Sequence, residues 1–77
     1  MNKERIYAII ADVLEKDIAI LNDDCRLVED LKADSIDLFD LVMAFEDEFS
    51  IEVEDEALEN IKTVGDILEM IEKIVTA

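Results

Sequence analysis

Ser35 is the residue of this chain whose type and position best fit a chemical role. It lies within residues 31–38, LKADSIDL, where a long polar connection meets the most strongly patterned helical segment. The chain contains no histidine, so a Ser-His-Asp triad is excluded. A serine–lysine arrangement with Lys32 would need an oxyanion hole, and nothing in the sequence suggests one. A serine without a base is a poor nucleophile, but it can serve as an attachment point for a group that another enzyme installs.

The predicted position of Ser35 at a helix N-terminus would favour an attached phosphate. A helix begins with free N–H groups and the positive end of its dipole, and both stabilise an anion. The neighbouring carboxylates of Asp34 and Asp37 oppose this effect, so the helix terminus alone does not explain the site. A metal ion in the modifying enzyme could offset them during transfer. The alternative is purely structural: Asp34 or Ser35 caps the helix and has no further role.

Hydrophobic periodicity predicts an all-α fold, a four-helix bundle with three longer helices, one short third helix and a long first loop. The predicted elements are, in order, a helix over Lys3–Leu14 with Asn2 as its N-cap, a helix from Asp34 or Ser35 to about Phe49, a short helix over Asp55–Ile61, and a helix that opens at Thr63. Thr63 and Asp66 have the spacing of a capping box. Residues 50–54 alternate in polarity, but a lone strand would have nothing to pair with. We expect residues 1–77 to form one domain.

The core of this bundle can be assigned from the apolar stripes. The predicted core residues are Ile6, Ile9, Ile10, Val13 and Leu14 of the first helix, Leu38, Leu41, Val42, Phe45 and Phe49 of the second, and Val64, Ile67, Leu68, Ile71 and Val75 of the last. About twenty residues separate the first two helices, which is long for a bundle connection. We expect this loop to be pinned across the bundle, with a helical turn, by Ile18, Ile20, Leu21, Leu27, Val28 and Leu31.

The second helix has a mixed outer face, which is unusual for a solvated surface. Opposite its core stripe it presents Ile36, Phe39 and Met43 among acidic residues. An apolar centre ringed by carboxylates suits a partner that brings lysine or arginine around a hydrophobic patch. The alternatives are chance exposure and contacts with the long loop.

Composition restricts the partners further. The net charge is −15, from 22 acidic and 7 basic residues, which argues against nucleic acid and anionic membrane surfaces. Basic proteins are the expected partners, although the charge could serve solubility alone.

Other functional classes are excluded by what the sequence lacks. The single cysteine, Cys25, permits no intrachain disulfide, and with no histidine present we expect no metal site. The longest apolar run is Ile6–Ala11, too short for a membrane span. The first five residues contain no apolar segment typical of a signal peptide, so we expect a cytoplasmic protein, and a monomer.

These motifs resemble the acyl carrier protein family along almost the full chain. Residues 31–37, LKADSID, resemble its Asp-Ser-Leu signature, with VEDL before it and LVMAFEDEF after it. Further on, Asp55-Glu56 opens the short helix and residues 61–66, IKTVGD, open the last one. The Asp-Ser pair alone is weakly specific, whereas the pair at this place in an acidic four-helix chain is strongly specific.

The resemblance implies a carrier rather than an enzyme. It implies that Ser35, flanked by Asp34, bears phosphopantetheine transferred from coenzyme A by a phosphopantetheinyl transferase, and that acyl chains are held as thioesters. The implied docking surface for basic enzymes of fatty acid synthesis and acyl transfer consists of Ile36, Asp37, Phe39, Asp40, Met43, Glu46 and Asp47. An acyl cavity is also implied, with Leu38, Phe45, Leu58, Ile61 and Leu68 as candidate lining residues. Ordinary core packing is the alternative for each of those five.

Two positions depart from the family pattern. Lys32 stands where a glycine is usual, which places a cation near the phosphate, and Glu54 replaces a frequent proline. The absence of a Gly-Gly pair before the serine motif favours an acyl over an aminoacyl carrier. Two alternatives remain: a specialised carrier for polyketide, peptide or cell-wall chemistry, and an unmodified helical interaction subunit.

Overall fold

The computed structural model describes residues 3–76, which form four α-helices and one short 3₁₀ turn. The helices are α1 (Lys3–Leu14), α2 (Ser35–Phe49), α3 (Asp55–Asn60) and α4 (Val64–Thr76), and the 3₁₀ turn covers Ile18–Ile20. The predicted all-α fold with a short third helix is therefore confirmed. The described part contains no strand, and a single isolated bridge pairs Arg26 with Thr63. The predicted N-cap, Asn2, lies outside the described residues.

One hydrophobic core is shared by α1, α2, α4 and the long loop. Its least exposed side chains are Ile6 and Ile10 from α1, Leu41 and Phe45 from α2, Val64, Ile67 and Ile71 from α4, and Leu27 from the loop. Phe45 and Phe49 also stack within α2, with ring centroids 6.4 Å apart. The predicted stripes are thus largely confirmed, with one exception at the end of α4. Val75 is 46% exposed because it comes in the last turn of α4, beyond the part of the helix that the core covers.

The long loop contributes to the core through fewer residues than predicted. Leu21, Leu27 and Leu31 are buried, as expected, and Ala33 is buried with them. The prediction was wrong for Ile18, Ile20 and Val28, which are 46%, 53% and 59% exposed. In an irregular loop, apolar side chains do not face the core at a fixed spacing. Which of them face the core is set by the hydrogen bonds of the loop backbone.

Those hydrogen bonds tie the loop to the start of α4. The amide of Leu27 donates to the carbonyl of Lys62 at 2.9 Å, and the amide of Val64 donates to the carbonyl of Cys25 at 2.9 Å. The amide of Gly65 donates to the carbonyl of Asp23 at 2.8 Å. The loop therefore lies against α4 through its backbone, which satisfies N–H groups that a helix N-terminus would otherwise leave unpaired.

Gly65, the single glycine of the chain, is explained by this close approach. A Cβ atom at this position would lie 3.0 Å from the Asp23 carbonyl oxygen. The side chain of Asp23 adds a second tie, since it accepts hydrogen bonds from the Tyr7 hydroxyl and the Lys3 ammonium on α1. The loop around Asp23 is therefore held from both sides, by α1 and by α4.

The predicted capping box at the start of α4 is confirmed. The amide of Asp66 donates to the Thr63 hydroxyl at 3.1 Å, and the Asp66 carboxylate accepts from the amides of Thr63 at 3.1 Å and Lys62 at 2.9 Å. α3 ends at Asn60, one residue earlier than predicted, because Ile61 leaves the helix in an extended conformation and is buried.

We expect Asp66→Ala to lower the free energy of unfolding by about 0.5–2 kcal/mol, the range for a lost helix cap. The amide of Lys62, followed by that of Thr63, stabilises the charged carboxylate and lowers the pKa of Asp66. Because the folded state favours the charged form, this stabilisation is present above the ordinary aspartate pKa of about 3.9 and is lost as the pH falls below it.

Chemical denaturation between pH 7 and pH 2 would measure both effects. Asp66→Ala should show a shallower loss of stability below pH 4 than the wild type. Asp12→Ala removes an exposed carboxylate of α1 and serves as the matched control, because it leaves the cap in place. A wild-type slope in Asp66→Ala would contradict the assignment.

Charge repulsion should limit the stability of this fold. A net charge of −15 on 77 residues makes the compact state self-repelling. We therefore expect the melting temperature to rise with ionic strength, and to rise further with magnesium or calcium at equal ionic strength, as exposed carboxylates are screened. Thermal melts across a sodium chloride series, repeated with each divalent cation, would test this. A melting temperature that is flat or falls with salt would show that repulsion does not limit stability.

Candidate functional site

The start of α2 is fixed by Asp34. The Asp34 carboxylate accepts a hydrogen bond from the amide of Asp37 at 2.9 Å, and the Asp37 carboxylate accepts one from the amide of Asp34 at 3.2 Å. This reciprocal pair is a capping box built from two aspartates. Asp34 is therefore the N-cap, which resolves the choice between Asp34 and Ser35 that the sequence left open.

Ser35 is the first residue of α2, and its side chain is exposed. Because Asp34 supplies the capping oxygen, the hydroxyl of Ser35 is not needed to begin the helix. The amides of the first turn have no acceptor within the helix, so the positive end of the α2 dipole lies beside this hydroxyl. An exposed hydroxyl beside a helix N-terminus fits the attachment of a phosphate ester.

The segment before Ser35 is held in place by its neighbours in the chain. Leu31 and Ala33 are each 3% exposed, and the amide of Ala33 donates to the carbonyl of Leu27 at 2.9 Å. Between them Lys32 adopts a left-handed conformation with φ 60°. Such a conformation costs a non-glycine residue roughly 1–2 kcal/mol. The backbone is therefore strained at Lys32, just before the chain reaches the capping box of α2.

A cluster of charged groups lies next to this segment. The amide of Arg26 donates to the Asp30 carboxylate at 2.9 Å, and the Arg26 guanidinium pairs with Glu29 at 2.6 Å and with Asp30 at 3.5 Å. The hydrogen bond from the Arg26 amide is the main reason that the pKa of Asp30 is lowered. The charge of Arg26 is thus paired with the carboxylates of Glu29 and Asp30.

The outer face of α2 is open to solvent, as the mixed pattern suggested. Ile36, Phe39 and Met43 are 70%, 53% and 62% exposed. Each keeps more than half of its surface exposed, so burial by the long loop does not account for their apolar character. Asp40 and Asp47 are exposed on the same helix.

Two residues of the predicted docking surface form hydrogen bonds within the protein. Asp37 is half-buried and belongs to the capping box. Glu46 is half-buried, and its carboxylate accepts a hydrogen bond from the amide of Val53 at 3.0 Å. We therefore expect both to contribute less to docking than the exposed Asp40 and Asp47.

The five candidate cavity residues lie in or against the hydrophobic core. Phe45, Ile61 and Leu68 are buried, whereas Leu38 and Leu58 are half-buried and pack against the core. Their role in sheltering an acyl chain stays a prediction.

A groove of about 430 Å³ lies between α3 and α4, and Ile61 is the candidate that it includes. Its other apolar lining residues, Ala57, Met70 and Ile74, were not predicted. Met70 and Ile74 lie one helical turn apart beside the core stripe of α4. This spacing was the sequence feature that could have indicated the groove.

Neither a membrane span nor a metal cluster is found in the described structure. Within residues 3–76, every helix is too short or too polar to cross a bilayer. The same residues contain no group of three or more His, Cys, Asp or Glu side chains placed to hold a metal ion.

Comparison with known proteins places this site in a family. The family model "Phosphopantetheine attachment site" matches residues 4–71. The chain is 48% identical over 69 residues to an acyl carrier protein of Thermotoga maritima, covering 90% of this chain and 85% of that protein. It is 46% identical over 70 residues to one of Solidesulfovibrio magneticus, covering 91% and 90%. A crystal structure of an acyl carrier protein from Thermotoga maritima superposes with a TM-score of 0.82 at 34% identity, covering 95% of this chain and 85% of that one. The chain therefore belongs to the acyl carrier protein family, whose members are carrier proteins rather than enzymes.

Proposed function

We propose that this protein carries acyl chains as thioesters on a phosphopantetheine arm attached to Ser35, and presents them to enzymes of fatty acid biosynthesis or a related acyl pathway. The observation that carries the proposal is the exposed hydroxyl of Ser35 at the start of α2, with the capping role taken by Asp34. Residues 1–77 then act as one acyl-carrier domain in the cytoplasm.

The chain's own part in the loading step is limited. Ser35 supplies the oxygen that forms the new ester bond to phosphorus, while the diphosphate bond of coenzyme A breaks and the nucleotide bisphosphate leaves. We expect the proton of the hydroxyl to go to a base of the phosphopantetheinyl transferase. The bound arm supplies the thiol that holds the acyl group.

The docking role of α2 is supported by its exposed side chains. Ile36, Phe39 and Met43 form an apolar strip, and Asp40 and Asp47 supply negative charge beside it. A partner enzyme with a basic rim around an apolar patch would be attracted over distance by the charge and held by apolar contact. The transferase and the acyl-transfer enzymes are the partners that we expect to bind in this way.

Intact-mass measurement tests the proposal directly. The purified protein, incubated with coenzyme A and a promiscuous phosphopantetheinyl transferase, should gain one phosphopantetheinyl unit, and peptide mapping should place it on Ser35. No gain in mass would contradict the proposal and favour an unmodified interaction subunit. The acyl group recovered from the protein in cells would then separate fatty acid synthesis from polyketide, peptide or cell-wall chemistry.

A further inference from the structure

Lys32 is the only basic residue between Leu27 and Ile61, a stretch that contains thirteen acidic residues. It comes three residues before Ser35. Because three residues span at most about 11 Å when fully extended, the Cα atoms of Lys32 and Ser35 lie within that distance. Lys32 is therefore the one basic residue that the surrounding sequence places beside the attachment serine.

The backbone holds Lys32 at a defined point. Leu31 and Ala33 on either side of it are buried, and their amides donate to the carbonyls of Arg26 at 3.1 Å and Leu27 at 2.9 Å. Lys32 itself is exposed and left-handed, with φ 60°. Its side chain therefore extends into solvent from an anchored segment rather than from a mobile loop.

The ammonium group of Lys32 makes no salt bridge in the described part of the chain, although its charge is among the lesser causes of the lowered pKa of Asp30. Among residues 3–76, no carboxylate lies within salt-bridge distance of its ammonium group. The nearest alternative cation in sequence, Arg26, already pairs with Glu29 and Asp30. The carboxylates of Asp34, the N-cap next to Ser35, and Asp37, in the first turn of α2, are fixed by their capping box and would repel a phosphate. An anion on Ser35 is thus repelled by the two carboxylates of the capping box and attracted by the ammonium group of Lys32.

We propose that Lys32 is a positioning residue, whose ammonium group pairs with a phosphodiester on Ser35 and draws it away from the acidic residues of α2. This inference rests on the proposed function. Because this pairing draws the phosphate away from the acidic face of α2, Ile36, Phe39 and Met43 stay accessible to a partner while the arm is attached.

The test compares melting temperatures before and after loading, at low ionic strength, for the wild type and Lys32→Gln. Glutamine is also a non-glycine residue, so the left-handed strain is present in both proteins and cancels when loaded and unloaded forms are compared. Loading should lower the melting temperature of Lys32→Gln by about 1–4 °C more than that of the wild type, the range for an exposed ion pair in a domain of this size. The difference should vanish in 1 M salt, where the screening length is about 3 Å.

Two further variants make the result specific. Lys32→Arg keeps the charge and should respond to loading as the wild type does. Lys73→Gln removes the same charge from α4 and should also respond as the wild type does. If loading changed the melting temperature of the wild type and of Lys32→Gln equally, the role of Lys32 would be wrong, but the proposed function would not be affected. A wild-type protein that gains no phosphopantetheinyl mass would overturn both this role and the proposed function.

Discussion

Replacing Ser35 by alanine should abolish loading with phosphopantetheine while leaving the fold intact. The hydroxyl is the proposed attachment point, and its loss removes the only oxygen of the motif that can form the phosphodiester. The helix should survive because Asp34 caps it, so we expect the free energy of unfolding to change by no more than about 0.5 kcal/mol. Intact mass after incubation with coenzyme A and transferase measures the first effect, and circular dichroism with denaturant measures the second.

The chain offers a matched control in Ser50, its one other serine. Ser50→Ala leaves the attachment site untouched and should load completely. If Ser35→Ala still gained the mass, the site assignment would be wrong. A large loss of helicity in Ser35→Ala would instead show that the hydroxyl supports the helix, contrary to the capping geometry.

Reversing the charges of Asp40 and Asp47 together should slow docking to a basic partner enzyme by about tenfold or more at low salt. Both side chains are exposed on the face that carries Phe39 and Met43, and charges at a docking surface act mainly on the association rate. Stopped-flow binding of Asp40→Lys/Asp47→Lys to the transferase would measure the rate. The deficit should shrink as salt is added, because exposed charges are screened beyond ~10 Å at 0.1 M ionic strength.

The control must change the net charge equally without touching α2. Glu4→Lys/Glu15→Lys does so at exposed positions on α1 and just after it. If this pair slowed association as much as the α2 pair, net charge would account for the effect and the specific docking surface would be wrong.

Most helix boundaries could be predicted because local patterns determine them. α1 matches its prediction at both described ends, and α2 ends at Phe49 as expected. The start of α4 follows from the Thr63–Asp66 spacing, which the structure confirms as a capping box. In each case the apolar stripe indicated the element, and at α4 the terminal polar residues indicated it too.

The loop could be predicted only in part. Burial of Leu21, Leu27 and Leu31 was correct, whereas Ile18, Ile20 and Val28 are exposed. Apolar character alone does not tell which residues of an irregular segment face inward. That choice depends on the backbone bonds of the loop, and several of these are made to residues 62–65, which are distant in sequence.

The candidate site could also be predicted only in part. The serine and its position at the helix start were predictable, and Asp34 was one of the two predicted caps. The choice between Asp34 and Ser35 and the bond between Glu46 and Val53 were not predictable, because each depends on side-chain geometry. The left-handed residues Glu15, Lys32 and Ser50 were also missed, since glycine is the usual marker of such positions and none of them is glycine.

The construction of α3 has a consequence for the exchange of amide hydrogens. This helix has only six residues, its N-cap Glu54 makes no side-chain capping bond, and none of its residues is buried. Short helices without a side-chain cap and with no fully buried residue open locally long before a protein unfolds as a whole. The amides of Asp55–Asn60 should therefore exchange with solvent far faster than those of α1 and α4. Each opening would uncover the neighbouring Ile61 and the groove against Met70, so the protein would expose part of its apolar interior without losing its fold.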